Sequence, residues 1–236
     1  MKRATILLAV LVFVAAGCGG NLVGPEVKTA TRGTVGAVMV RSGPAIDGTM
    51  ECPRWKLCPE LKLGKTESEE IGELKSVARV LFDSKNMYVG FMCEEKNTGA
   101  LVADGAVQDD PVWQDDCVEI FVAPDINKGY YQIVVNSKGV VMDAHSSAGA
   151  DGDSAWDSQA VVKASVQKDK CWIVTLAIPL KGLGAKSGEN QTWTLNLNRS
   201  KPLGDNNFVE STWSAKGRSS YHDSSGWGKV TGLNVP

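Results

Sequence analysis

Histidine is nearly absent: the 236 residues contain two, His145 and His222, far apart in the chain. A chain with so few is poorly supplied for metal ligation or proton shuttling. Basic excess is also missing. Lys and Arg total 25 against 27 Asp and Glu, for a net charge of −2, which excludes the basic footprint of a nucleic-acid binder. The longest largely apolar run is thirteen residues, Ala4 to Ala16 with Thr5 within it, short of the roughly 20 that span a bilayer. No HExxH, GxSxG, Walker or dinucleotide-binding pattern stands in a plausible context. The loose Ser/Lys spacings at 165–168 and in STWSAK lie on a strand and a loop, which do not supply the geometry of a Ser-Lys nucleophile. Long amphipathic helices and internal repeats are absent too. The nearest to a helix is SEEIGELKSV.

What remains is an ordinary globular composition, 43% apolar and 22% charged, with 25 glycines that imply many turns. Seven tryptophans outnumber five phenylalanines. Tryptophan is favoured where one ring must be both apolar and hydrogen-bonding.

Lys2 and Arg3, the apolar run and the small residues after it read as a secretory signal. Ala15-Ala16-Gly17-Cys18 resembles the bacterial lipobox, with Ala15 where Leu is commonest. The resemblance implies cleavage after residue 17, lipid on Cys18, and outer-membrane or cell-surface placement, since Gly19 rather than Asp follows. Residues 18–34 then read as a tether and 35–236 as one domain.

With Cys18 set aside, five cysteines remain, an odd number. Cys52 and Cys58, in the Pro-rich ECPRWKLCP, are the best candidates for a disulfide in an oxidising compartment. A metal site there lacks a nearby histidine and the CxxC spacing. Cys93, Cys117 and Cys171 lie in strand-like runs and read as buried hydrophobes.

Most of the chain alternates with period 2. The runs are 77–83, 86–95, 116–124, 130–137, 140–145, 160–167, 171–180 and 193–200, separated by turn residues. They predict an all-β sandwich or barrel, taken here as a two-sheet antiparallel β-sandwich of immunoglobulin-like or jelly-roll-like kind. In 116–124, Val118, Ile120 and Val122 share one face, and Glu119 lies on the other.

The segment QDDPVWQDDCVEIF gathers Asp109, Asp110, Asp115, Asp116 and Glu119 around Trp113. A glycosidase pair of Asp116 and Glu119 fails on parity, because the two point to opposite faces. The aspartates could supply ligands for structural calcium, or form a solvated loop. Trp113 beside Glu119 suits a sugar. The C–H face of a ring stacks on indole, and hydroxyls donate to a carboxylate.

These residues carry a wider resemblance. AIDG (45–48), PRW (53–55), VLFDSKNMYVGF (80–91), W-x5-E at Trp113 and Glu119, YYQIVVN (130–136), WIVTLAIPL (172–180), WTLNLNR (193–199), STWS (211–214) and YHDSSGWGKV (221–230) follow the order of a family 9 carbohydrate-binding module. The resemblance implies a β-sandwich that binds sugars without cleaving them, with two aromatic rings enclosing a terminal sugar. It puts Trp113 at the first ring, Tyr221 at the second and Glu119 at the acidic partner, with Gln132 and Asn136 on the neighbouring strand. Val134 stands where an arginine ligand is expected. Asn196 and Arg199 are the candidate replacements, although Arg199 falls on the other face of its strand. Polysaccharide or oligosaccharide is the implied partner, with calcium possible as a structural ion. Two other readings remain open: an interaction lipoprotein with a decayed sugar site, and a haem-binding domain of the related DOMON-like class. The second would draw axial ligands from Met87, Met92, Met142, His145 and His222.

Overall fold

The computed structural model describes residues 33–65, 75–148, 152–214 and 220–236. The signal segment, Cys18 and nearly all of the tether lie outside the described residues, as does most of SEEIGELKSV. The described chain forms thirteen strands: β1 (Thr34–Gly36), β2 (Leu61–Lys65), β3 (Ser76–Phe82), β4 (Asn86–Glu94), β5 (Cys117–Ala123), β6 (Gly129–Asn136), β7 (Val141–Ser147), β8 (Gly152–Asp153), β9 (Val161–Gln167), β10 (Cys171–Pro179), β11 (Gly188–Gly204), β12 (Asn207–Thr212) and β13 (Gly228–Val235). Its helices are single 3-10 turns such as Pro53–Leu57 and Val112–Gln114.

The hydrogen-bonded order is β8-β7-β6-β5-β11-β12-β2-β3-β4-β10-β9, with β13 on β11 and β1 on β13. Every pairing is antiparallel except β1 with β13. The ladder is unbroken. Its narrowest join is β12 to β2, through Ser211–Lys65 and Thr212–Gly64.

Local chemistry explains the turns. At the break between β3 and β4, Asp83 Oδ1 accepts the backbone N–H of Lys85 and Asn86, each at 2.8 Å. Tyr88 donates to the other carboxylate oxygen at 2.6 Å. One buried aspartate thus ties off the hairpin.

The period-2 pattern sends Val118, Ile120 and Val122 of β5 into one cluster with Val89 and Phe91 of β4, Trp172 and Val174 of β10, and Leu195 and Leu197 of β11. Strands distant in the ladder therefore meet through side chains. Phe82 of β3 sets its ring edge on Trp193 of β11, with centroids 6.0 Å apart. Each fully buried large apolar side chain in such a cluster contributes about 1.5–3 kcal/mol.

Tryptophan is used mainly here. Trp55, Trp172, Trp193 and Trp213 are fully buried and Trp227 nearly so, while Trp113 is 48% exposed. Cys52 and Cys58 are separate buried thiols rather than the expected disulfide. Cys58 Sγ lies 3.3 Å from the Trp55 carbonyl oxygen, and Arg54 donates to Cys52 Sγ at 3.7 Å. The short 3-10 turn over Pro53–Leu57 places both in a small cluster with Trp55 and Tyr88.

Candidate functional site

Register builds the site. Glu119 of β5 lies opposite Val134 of β6 and Asn198 of β11; Phe121 lies opposite Gln132 and Asn196. Residues directly opposite share a face. Since Val118, Ile120 and Val122 face the core cluster, these six side chains line the other face of the β6–β5–β11 strip.

Glu119 sits at its centre. Gln132 Nε2 donates to Glu119 Oε2 at 3.0 Å. The carboxylate is nearly buried: Glu119 is only 6% exposed. Burial pushes its pKa up to about 7, and nearby Glu210 adds to the rise, while hydrogen bonds from Gln132 and Ser200 oppose it. Glu210 is itself raised by burial. Asn198, unlike Gln132, leaves its Nδ2 without a partner although it is fully buried. Asn198 stands two residues from Asn196 on β11 and so shares its face, yet it is not among the site residues expected from the sequence. Its parity was the available signal.

Trp113 sits in the 3-10 turn Val112–Gln114 just before β5. The acidic segment is a solvated loop only in part: Asp109 is exposed, while Asp115 and Asp116 turn inward. Asp115 is buried and accepts from the N–H of Asp104 (2.9 Å), the N–H of Gly105 (3.1 Å) and Asn136 Nδ2 (2.9 Å). Asp116 is buried and accepts from Val102 N–H at 2.9 Å. Asp110 accepts from Ala106 and Val107 N–H at 2.7 and 2.9 Å. These carboxylates stitch residues 102–116 to the start of β5. Asp110, Asp115 and Asp116 each give oxygens to these donors, while Asp116 Oδ1 is buried without a partner. Among the described residues no group of three or more His, Cys, Asp or Glu side chains is placed to hold a metal.

Val134 is fully buried against Val112 and Cys117. The position where an arginine was expected thus forms an apolar floor beneath the turn that carries Trp113.

Other expected ligands are committed elsewhere. Asn136 is buried. Its Nδ2 donates to Asp115 and to the Gly105 carbonyl (3.2 Å), and its Oδ1 accepts from Lys138 and Val140 N–H. Asn196 donates to Asn198 Oδ1 at 2.8 Å and accepts from Thr212 and Ser214 hydroxyls at 3.0 and 2.7 Å. Arg199 points into the core. It donates to Ser76 Oγ (3.1 Å) and the Glu94 carbonyl (2.9 Å), pairs with Glu95 at 3.5 Å, and lies 5.7 Å from the Trp172 ring centroid.

Tyr221 is 8% exposed and packs with Phe121 and Trp227. Its hydroxyl donates between the carbonyls of Arg199 and Ser211, at 3.2 and 3.3 Å. A ring held this way supports the strip rather than offering an open face. The histidines have aromatic partners: His145 stacks on Tyr131 at 4.5 Å, and His222 Nδ1 lies 2.8 Å from the Tyr130 hydroxyl. Met87 is buried in the core, Met92 is exposed, and Met142 packs against Val112, Cys117 and Val134.

Residues 46–233 match the family model described as carbohydrate family 9 binding domain-like. No curated protein matches the chain by sequence. Among solved structures, a candidate carbohydrate-binding protein from Bacteroides uniformis aligns with TM-score 0.69 and 15% identity, over 84% of this chain and 98% of that one. A family 9 carbohydrate-binding module from Caldicellulosiruptor kristjanssonii in complex with cellotriose aligns with TM-score 0.62 and 15% identity, over 87% and 95%. One from the same organism in complex with glucose gives 0.61 and 14%, over 86% and 96%. At these identities the likeness concerns the fold.

Proposed function

The chain belongs to the carbohydrate family 9 binding domain-like family, and we propose from this that it binds a glucose-like sugar non-catalytically, its ring stacked on Trp113 and its hydroxyls held by Glu119 and Gln132. One observation carries the reading. Trp113 is the exposed ring among seven tryptophans, and it sits on the turn that leads into the strand bearing Glu119. An exposed indole costs solvation and does nothing for the core, which makes it a contact surface. The Glu119–Gln132 pair, on the strand that follows this turn and its neighbour, supplies an acceptor and an amide fixed relative to each other. In this reading the ladder stacks as two layers joined at β12–β2, and the strip is the outward face of one of them.

The reading also holds the domain at the cell envelope through lipid on Cys18, with residues 19–34 as the tether. Calorimetric titration of the chain with glucose and cellotriose tests the sugar site. Saturable binding lost in Trp113→Ala supports it. A folded protein giving no heat with any glycan leaves the interaction-lipoprotein reading in its place.

A further inference from the structure

A second cleft lies apart from this strip, beyond the other end of β5 and on the opposite face of β6. Its volume is about 120 Å³, and Lys128, Tyr131, His145, Gly184, Lys186 and Gln191 are among the residues that line it. That is the space of about four waters, room for one end of a small molecule.

Its walls are built. Gln191 is fixed from both ends: its Nε2 donates to the Lys186 and Gly188 carbonyls at 2.8 and 3.1 Å, and its Oε1 accepts from Trp193 at 3.1 Å. Tyr131 is held between His145, stacked at 4.5 Å and 24°, and Trp156 at 4.8 Å. The floor stays open because of glycine. Gly184 has φ +61°, and a Cβ there would sit 3.0 Å from the Tyr131 hydroxyl.

Free hydrogen-bonding capacity in the cleft is strongly one-sided. The Tyr131 hydroxyl, the His145 ring nitrogens and the Lys186 ammonium have no hydrogen-bond partner among the described residues. The acid at the rim, Asp125, is already engaged. It accepts from Asn127 N–H at 3.3 Å and pairs with Lys128 at 3.5 Å. Two lysines and one carboxylate, the latter paired with Lys128, thus line the cleft beside a flat stacked aromatic pair.

We infer that this cleft is a second binding site, separate from Trp113 and Glu119, for an acidic sugar of the hexuronate class. The uronate carboxylate lies between Lys128 and Lys186. A hydroxyl accepts from Tyr131, and the ring lies along His145. Two ammoniums and a phenol select an acceptor-rich anion, and the aromatic wall selects a ring over a bare ion.

The test is calorimetric titration of the full chain in mild detergent at low salt, with glucuronate and galacturonate as ligands and glucose and inorganic phosphate as comparison arms. Saturable uronate binding is expected. It should fall about tenfold in the double variant Lys128→Ala/Lys186→Ala, because each removed ammonium takes a charge-assisted contact with it. Tyr131→Phe, which keeps the ring stack, should weaken it severalfold. Trp113→Ala should leave it unchanged, so failure here and failure of the glucose-like site are told apart. The inference is overturned by any of four results: no uronate binding by the folded chain, uronate binding indifferent to both lysines, uronate binding lost with Trp113→Ala, or phosphate bound as tightly as uronate.

Discussion

Gln132 Nε2 donates to Glu119 Oε2 at 3.0 Å across the β5–β6 pair, and this is the bond that holds a nearly buried carboxylate in place on the outward face. The carboxylate resists ionisation because water is excluded around it and Glu210 is near, which raises its pKa from 4.5 to about 7. The native state therefore holds this proton at pH values where the unfolded chain has released it. Stability from Glu119 is full below its unfolded pKa and is lost as pH rises through about 7. The loss amounts to about 3 kcal/mol at most. Urea midpoints at pH 5 and pH 8 should show a decline for the native chain. Glu119→Gln should reduce it, because the amide oxygen can still accept from Gln132 without titrating. An unchanged slope in that variant would place the titration on Glu210 or Asp116, both raised by burial as well.

Trp113→Ala should separate function from stability. The ring is about half exposed and lies outside the core clusters. Removing it should change folding stability by no more than about 0.5 kcal/mol. Affinity for a glucose-like ligand should fall at least about tenfold, equivalent to about 1.4 kcal/mol. Thermal melts paired with titrations check both halves. A large drop in melting temperature would mean that Trp113 supports the loop instead of contacting ligand.

Arg199→Met should do the reverse. The guanidinium lies inside with Glu95, and Lys201 also pairs with Glu95 from the rim. Removing Arg199 leaves Ser76 and the Glu94 carbonyl without their donor and weakens a buried ion pair, at a cost of about 3–5 kcal/mol. Sugar affinity per folded molecule should not change, because Arg199 is on the core face. Denaturant unfolding and calorimetry on the same variant decide it.

Strand identity was legible because it rests on alternation. The runs read at 77–83, 86–95, 116–124, 130–137, 140–145, 160–167, 171–180 and 193–200 correspond to β3, β4, β5, β6, β7, β9, β10 and the middle of β11. The short strands β1, β2 and β8 were not, since two to five residues are too few to show a period, and β12 and β13 were also missed. The face of Glu119 followed from parity, and so did the inward direction of Arg199. Burial on the outward face did not. Parity gives direction only, and the packing of Tyr221, Phe121 and Trp227 beside the strip depends on a segment about a hundred residues downstream of β5. For the same reason Asn136 and Asn196 looked available. An asparagine's side chain is claimed by whichever backbone donors and carboxylates the fold brings near, and those came from Gly105, Asp115 and Thr212.

Asn136 provides the sharpest distinction between a ligand contact and a scaffold contact. Its amide makes four hydrogen bonds, to Asp115, to the Gly105 carbonyl, and from the N–H groups of Lys138 and Val140. Asp115 is nearly inaccessible and follows the turn bearing Trp113. Asn136→Ala would leave that carboxylate oxygen with Gly105 N–H alone and orphan two backbone donors, a cost of about 2–3 kcal/mol. Asn136→Asp should be worse, since it sets a second carboxylate against Asp115. Sugar affinity should also fall in Asn136→Ala, by loosening the turn that positions Trp113, although the side chain has no free group to offer a ligand. Gln132→Ala, at a half-exposed position, should instead lose affinity with little loss of stability. If the asparagine variant keeps its stability and loses affinity, Asn136 contacts the sugar directly. If both variants lose stability equally, the Glu119–Gln132 bond belongs to the scaffold as well.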